Sequence, residues 1–304
     1  MLCICLIILF LLITNSSIVI SGASYGLMLW YKNILPMLLP FMLISELIVN
    51  YISNKNTQKT NSISSIGTTI LLGVLCGYPV GAKTCADFVK RNSYSKKTGN
   101  LLLPLCNNSS PMFISGYIVY RILNERLSLG TVLLIIYAPY IMYITIILLC
   151  RCITQNKTKR DSKLESIPLS ITISNQQTTA PHNKALNNYL INVITQITLV
   201  GVYIMLCSIA IEFINCIPNI TVPFSQIISG TIEITRGVQD ISAINILEEK
   251  IKIALIISLT SFGGISSILQ TKMVIENTGL SIIYYTVVKI ICALLSYVCC
   301  ILFI

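Results

Sequence analysis

Long apolar segments alternate with short polar connections along most of the chain. A helix needs about 20 predominantly apolar residues to cross a bilayer. Seven segments approach or exceed that length, at 2–21, 25–52, 101–120, 127–150, 188–215, 251–271 and 280–304. The pattern therefore predicts an all-α polytopic membrane protein with seven crossings.

Two further apolar segments, 63–99 and 218–247, are divided in the middle by polar or helix-breaking residues. The first is divided by GYPVGAK, from Gly77 to Lys83, and the second near Glu233 to Gly237. Proline between two glycines favours a turn rather than a continuous helix. We therefore predict two re-entrant helical hairpins whose tips lie at these residues.

Two of the predicted spans also contain a break. CNNSSP occupies Cys106 to Pro111, and TSFGG occupies Thr260 to Gly264. In hydrocarbon each unpaired backbone N–H or C=O group is costly, so interrupted backbone persists only where it lines a cavity or is packed inside protein. Paired interruptions in the two halves of a chain are typical of a transporter's binding site. The pattern thus favours membrane transport.

The two halves follow the same order of span, hairpin, broken span and span. Pro79 and Ser109 are 30 residues apart, and Glu233 and Phe262 are 29 apart. An odd number of crossings in each half requires the second copy to be inverted in the membrane. We predict an extra N-terminal span at 1–24, a first repeat at 25–152, a cytoplasmic polar linker at 153–187 and a second repeat at 188–304.

Composition supports a membrane protein, since 54% of residues are hydrophobic and only 11% are charged. Soluble domains contain about 25% charged residues. The net charge of +10 would suggest nucleic acid in a soluble protein, but here the cations lie mostly in the connections 53–62, 89–100, 151–187 and 272–279. The positive-inside rule places those connections in the cytoplasm, with the N-terminus inside and the C-terminus outside.

The sequence offers little support for an enzyme. Most of its 12 cysteines lie in apolar stretches, and its one histidine, His182, lies in the polar linker. This pattern does not favour a metal site. We found no GxSxG motif, P-loop or dinucleotide fingerprint. We expect no enzymatic activity, no metal, no cofactor and no nucleic-acid partner.

A cation accompanies each predicted hairpin tip, Lys83 in the first and Arg236 in the second. Ionisable groups at membrane depth usually face a cavity, a partner or a substrate. Together with the free N–H groups of broken helices, two cations suit a small molecule with two negative groups. Alternatively, Lys83 reaches the membrane interface and Arg236 pairs with Glu233 or Asp240.

The first broken span carries four consecutive polar side chains, Asn107 to Ser110. They can bind a ligand or only satisfy the backbone freed by Pro111, and four exceed what such repair requires. Glu233 could hold a coupling proton or sodium ion, or form a salt bridge at its tip. The candidate substrate-binding residues lie in the four interrupted segments: Gly77, Tyr78, Pro79, Gly81, Lys83, Asn107, Asn108, Ser109, Ser110, Glu233, Thr235, Arg236, Ser261, Gly263 and Gly264.

The motifs GYPVGAK, LCNNSSPMFISG, SGTIEITRG and TSFGGISSILQ resemble those of integral membrane proteins with a nucleoside-recognition Gate domain. Within that group the chain is similar to the sporulation integral membrane protein YlbJ family, also called stage V sporulation protein V, from about Leu35 to the C-terminus. The wider group is similar to concentrative nucleoside transporters. This resemblance implies a ligand between two hairpins and two unwound helices.

The resemblance also implies a role in endospore formation. The family is implicated in moving dipicolinic acid, a small planar aromatic dianion, from the mother cell across the outer forespore membrane. It therefore implies a dipicolinate transporter in that membrane. Two alternatives stay open: a carrier of nucleosides or other small metabolites, and a non-transporting membrane factor in spore cortex or envelope assembly.

Overall fold

The computed structural model describes residues 2–55, 62–158, 182–217 and 221–304, and within these ranges it contains helices and turns but no strand. The predicted linker at 153–187 lies largely outside them. Among the described residues, five helices are long and apolar enough to cross a membrane: Ser16–Ile44, Leu129–Leu149, Leu190–Asn215, Glu249–Val274 and Ile282–Phe303. The helical structure of the described residues and these five helices confirm the prediction of an all-α membrane protein.

The described residues of the first half form seven α-helices and two π-helical stretches. They are α1 (Leu2–Thr14), α2 (Ser16–Leu29), π1 (Trp30–Ile34), α3 (Leu35–Lys55), α4 (Ser62–Cys76), α5 (Val80–Lys90), α6 (Lys96–Cys106), π2 (Phe113–Ile122) and α7 (Leu129–Thr158). The helices α4 and α5 pack against each other and against α6. They meet at a turn formed by Gly77 to Pro79.

The second half contains six helices in the described ranges. They are α8 (His182–Asn215), α9 (Val222–Ile232), α10 (Ile234–Ser242), α11 (Glu249–Phe262), α12 (Gly264–Val274) and α13 (Ile282–Phe303). The helices α9 and α10 pack closely as a pair, and α13 packs along α11. A single residue, Glu233, separates α9 from α10, and Gly263 separates α11 from α12.

The N-terminal boundaries differ from the predicted spans at 2–21 and 25–52. The first helix ends at Thr14, and Asn15 leaves helical geometry with φ −117° and ψ 42°. Helical structure then continues from Ser16 to Lys55, through the expected connection at 22–24. The small residues there serve packing instead, because Gly22 lies against the backbone of Ile209 on α8. Small residues at such contacts allow close approach of membrane helices.

The predicted span at 101–120 also differs from a continuous crossing. It consists of α6 and π2 with nonhelical residues between them, and neither part is long enough to span alone. Together with the short α1, this explains why five rather than seven long apolar helices occur in the described residues.

The connections meet at two opposite ends of the helix assembly. At one end, the N–H of Ser281 donates to Oδ1 of Asn100 at 2.7 Å, so the start of α6 lies beside the start of α13. At the other end, Arg126 forms an ion pair with Glu249, so the loop after π2 lies beside the start of α11. The broken pairs α6–π2 and α11–α12 therefore run in opposite directions.

Candidate substrate-binding site at the interrupted helices

The turn between α4 and α5 lies directly against the break after α6. The N–H of Tyr78 donates to the carbonyl of Asn108 at 2.9 Å, and the N–H of Ala82 donates to Oδ1 of Asn107 at 3.2 Å. A Cβ at Gly81 would overlap the carbonyl of Cys106. Glycine is therefore required at this position, because the two backbones approach too closely for any side chain.

The turn between α9 and α10 has a corresponding relationship to the break after α11. Glu233 has extended backbone geometry, and its carboxylate accepts the N–H of Arg236 at 2.8 Å, which caps α10. Gly263 ends α11 with φ +85°, in the left-handed region that favours glycine. A Cβ at the following Gly264 would lie 3.2 Å from the carbonyl oxygen of Ile232.

The two breaks also contact each other across the halves. The hydroxyl of Ser109 donates to the carbonyl of Thr260 at 2.9 Å. The ring of Tyr78, at the first turn, lies 3.7 Å from the position of a Cβ on Gly263. All four interrupted segments therefore meet in one region of the interior.

Four tyrosine hydroxyls donate to backbone carbonyls within the interrupted segments. The donor–acceptor pairs and distances are Tyr285 to Asn107 at 3.2 Å, Tyr137 to Ser109 at 2.8 Å, Tyr117 to Thr235 at 2.8 Å and Tyr140 to Ser261 at 2.8 Å. Backbone groups that have lost helical partners need others when they are buried away from water. Tyrosine side chains of neighbouring helices thus satisfy the interrupted backbone of the two broken spans, and Tyr117 contacts the first turn of α10.

The two asparagines of the first break bond to protein. The amide nitrogen of Asn107 donates to Thr271 Oγ1 at 2.7 Å and to the Tyr285 hydroxyl at 3.0 Å. The amide nitrogen of Asn108 donates to the carbonyls of Pro104 and Leu105 at 3.1 and 2.9 Å. Both side chains therefore hold the break in shape, which is the role that the sequence left as the alternative to ligand binding.

An interior cavity of about 40 Å³ lies where the interrupted segments meet. Its polar lining comes from both turns and both broken spans: Tyr78, Ser110, Glu233, Thr235, Ser266 and Gln270. Its apolar lining includes Phe41 from α3 and Phe113 from π2. Oε1 of Gln270 is buried and has no hydrogen-bond partner among the described residues, so an acceptor is available at this cavity.

Among the described residues, the only charged side chain that lines this cavity is the carboxylate of Glu233, which is 2% exposed. It has no ion-pair partner in the described part of the chain. Arg236 pairs instead with Glu212 at 2.5 Å and with Asp240 at 3.5 Å. Its guanidinium also lies 4.4 Å from the ring centre of Tyr25. Two carboxylates thus neutralise the cation of the second turn.

Lys83 lies away from the cavity. Its side chain is exposed and borders a surface groove of about 240 Å³, together with Pro79 and the α8 residues Asn192, Thr195 and Gln196. The two cations at the turns, Lys83 and Arg236, are therefore not brought together around one ligand. The sequence argument for paired tip cations does not describe this arrangement.

Sequence reasoning missed the cavity residues Ser266 and Gln270 and gave Lys289 no role. A polar Gln270 six residues beyond Gly264, within an apolar helix, was the available signal. Lys289 is fully buried on α13, and its ammonium donates to Oδ1 of Asn108 at 2.9 Å. Within the described residues there is no group of three or more His, Cys, Asp or Glu side chains that could hold a metal ion.

Comparisons with known proteins give one informative relationship. No family model matches the chain, and no solved structure matches it. The sporulation integral membrane protein YlbJ of Bacillus subtilis (strain 168) is 22% identical over 312 aligned residues, which cover 89% of this chain and 75% of the relative. The similarity thus includes both halves and all four interrupted segments, so the chain is similar to this sporulation integral membrane protein over most of its length.

Proposed function

We propose that this chain is a membrane transporter that moves a small organic dianion, dipicolinate, from the mother cell toward the forespore in a sporulating bacterium. The observation that carries the proposal is the convergence of four interrupted helical segments, two from each half, around one polar interior cavity. Interrupted helices that meet near the membrane midplane form the substrate sites of secondary transporters. The name of the B. subtilis relative supports the sporulation context.

The proposed architecture is an inverted repeat with re-entrant hairpins α4–α5 and α9–α10. Two observations support it: each hairpin lies against a broken helix of its own half, and the two broken helices run in opposite directions. Such repeats allow one half to move against the other around a central site. The proposed location is the outer forespore membrane, with the N-terminus in the cytoplasm and the C-terminus outside.

A planar aromatic ligand fits the chemistry of the cavity walls. Phe41, Phe113 and Tyr78 offer ring surfaces, and Ser110 and Ser266 offer hydroxyls. The helix α12 begins at the cavity without a side-chain cap, so its N–H groups can bind a carboxylate. Ligand pockets usually enclose about 300 Å³ or more. The 40 Å³ cavity therefore represents a closed state, and the hairpins must separate to admit the substrate.

We place the coupling ion at Glu233. A bare carboxylate beside a dianionic ligand would repel it, and a buried charge without a partner is costly in a membrane. A proton or a sodium ion on Glu233 removes both penalties. Oxygen atoms of Thr235 and Gln270 line the same cavity and suit a hard cation. Cation binding therefore precedes dipicolinate binding in this scheme.

A carrier of a neutral metabolite such as a nucleoside is the second candidate. One observation favours it: the described residues that line the cavity include a carboxylate and no lysine or arginine. Such a substrate needs hydrogen-bond donors and acceptors together with aromatic surface, and it does not require neutralisation of Glu233.

Uptake into proteoliposomes tests the proposal. Purified protein is reconstituted, and accumulation of labelled dipicolinate is compared with that of labelled uridine under a sodium gradient, a pH gradient and no gradient. We expect saturable dipicolinate uptake that one gradient accelerates and that Glu233→Gln makes insensitive to that gradient. Uridine uptake without dipicolinate uptake would favour the neutral-metabolite carrier. Uptake of neither, by protein that remains folded, would contradict transport of either compound and favour the envelope-assembly factor.

A further inference from the structure

Lys289 is a buried cation in a membrane-spanning helix without an acidic partner in the described residues. It is fully buried, and the four ion pairs of the described chain involve Arg126, Arg236 and Lys252 instead. A charge at that depth is costly unless nearby groups compensate for it. The cavity lining does not include Lys289, so the proposed transport site does not account for it.

The surroundings of the Lys289 ammonium connect it to both broken helices. It donates to Oδ1 of Asn108, whose amide nitrogen binds two carbonyls in the last turn of α6. It also lies 5.2 Å from the ring centre of Tyr140. The hydroxyl of Tyr140 donates to the carbonyl of Ser261 at 2.8 Å, near the end of α11.

The ends of α6 and α11 explain how a lysine is tolerated here. Both helices stop in the interior, and the C-terminus of a helix carries partial negative charge. The ammonium thus has an amide oxygen at the end of α6 and an aromatic face near it, and the hydroxyl of that aromatic ring reaches the end of α11. These groups together replace a carboxylate partner. Each half of the chain contributes one of those two helices.

We propose that Lys289 is a positioning residue whose ammonium ties the two broken helices together. Through Asn108 it fixes the end of α6, and through Tyr140 it is linked to the end of α11. Relative movement of the two breaks must change these contacts, so Lys289 stabilises the closed arrangement around the cavity. The link is independent of which substrate the protein carries.

The first test replaces Lys289 with methionine, which keeps the length of the side chain and removes the charge. If the buried charge of Lys289 only destabilised the fold, its removal would raise the midpoint temperature of thermal unfolding. The proposal predicts a lower midpoint and faster maleimide labelling of Cys106, which is fully buried at the end of α6. Loss of a hydrogen bond to a charged group should increase labelling about ten-fold. Peptide mass spectrometry of the natural chain locates the label.

Parallel variants separate the charge from general packing. Lys289→Gln keeps a donor without the charge and should show intermediate labelling, whereas Lys289→Arg keeps the charge and should retain most of the protection of Cys106. Lys252→Met is the matched control, because Lys252 is also largely buried but pairs with Glu249 at 3.4 Å. The Lys252→Met variant should leave Cys106 protected from maleimide labelling. Should the methionine variant fail to fold, the glutamine and arginine variants decide the question.

A double-mutant cycle tests whether Lys289 acts through Asn108. Asn108→Leu combined with Lys289→Met should lower the midpoint no further than the more damaging single change, because both remove the same link. Additive losses, a midpoint raised by Lys289→Met, or unchanged labelling of Cys106 in both neutral variants would overturn the proposal.

Discussion

The hydroxyl of Tyr140 donates a 2.8 Å hydrogen bond to the carbonyl of Ser261, one residue before the last residue of α11. The two residues belong to different halves of the chain, and Tyr140 is fully buried. A carbonyl at an interior helix end has lost its helical partner, and in a membrane water cannot replace that partner. Helix α7 of the first half thus stabilises the interruption in the second.

Removal of that hydroxyl should destabilise the protein. Tyr140→Phe keeps the ring and leaves the Ser261 carbonyl unpaired, which should cost about 1–3 kcal/mol. Tyr120→Phe is the control, because Tyr120 is 69% exposed on the outer surface. Thermal unfolding in detergent, followed by circular dichroism, measures both. Equal midpoints for the two variants would show that the bond does not support the break.

Two glycine substitutions should have opposite consequences. Gly81→Ala places a Cβ into the carbonyl of Cys106, so α5 can no longer lie against the first break, and we expect aggregated or unfolded protein. Gly67→Ala has no neighbouring atom within 4 Å and should be neutral or stabilise α4 by up to about 1 kcal/mol. Size-exclusion chromatography of the purified variants checks both. A monodisperse, normally stable Gly81→Ala variant would contradict the described contact.

Lys83→Ala should retain dipicolinate uptake within about two-fold of the parent, because the side chain is exposed outside the cavity and the loss of an exposed charge changes a distant site little. Glu233→Gln should lose the acceleration by a cation gradient, because its carboxylate lines the cavity. Initial rates in proteoliposomes measure the comparison. Abolished uptake in Lys83→Ala with normal insertion would restore the earlier expectation that this lysine contacts the substrate.

Cysteine accessibility checks the proposed orientation. In a background without the native cysteines, a cysteine at Ser170 should react only with reagent on the cytoplasmic side, and one at Glu125 only with reagent outside. This follows from the distribution of cations between the loops. Labelling of both positions from one face would contradict the inverted arrangement of the two halves.

The sequence indicates where the helices are interrupted because interruption is a local property. The turn at Tyr78, the residue Glu233 and the cap at Gly263 lie within segments whose glycine, proline and polar residues cannot continue an apolar helix. The observed N-terminal helix bounds differ from the predicted spans for a related reason. The predicted spans left a connection at 22–24, whereas Gly22 lies against the backbone of α8, a contact that no local pattern reveals.

The contacts across the site depend on residues that are distant in the sequence. Asn107 lies 164 residues from Thr271 and 178 from Tyr285, and both hydrogen bonds use its side chain. A run of polar residues shows only that partners are needed, and it does not distinguish protein from ligand. The nearest ion-pair partner of Arg236 is likewise on another helix, because Glu212 on α8 lies closer to it than Asp240 does.

Binding of dipicolinate to purified protein tests the central claim most directly. Ser266 lines the cavity and is 4% exposed, so Ser266→Leu should fill the space where the four interrupted segments meet. Isothermal titration calorimetry should show saturable binding to the parent and to Lys83→Ala, and at least about ten-fold weaker binding to Ser266→Leu, as expected for a side chain that occupies part of a ligand site. Equal affinity of the parent and Ser266→Leu, or no binding to a folded parent, would contradict the account.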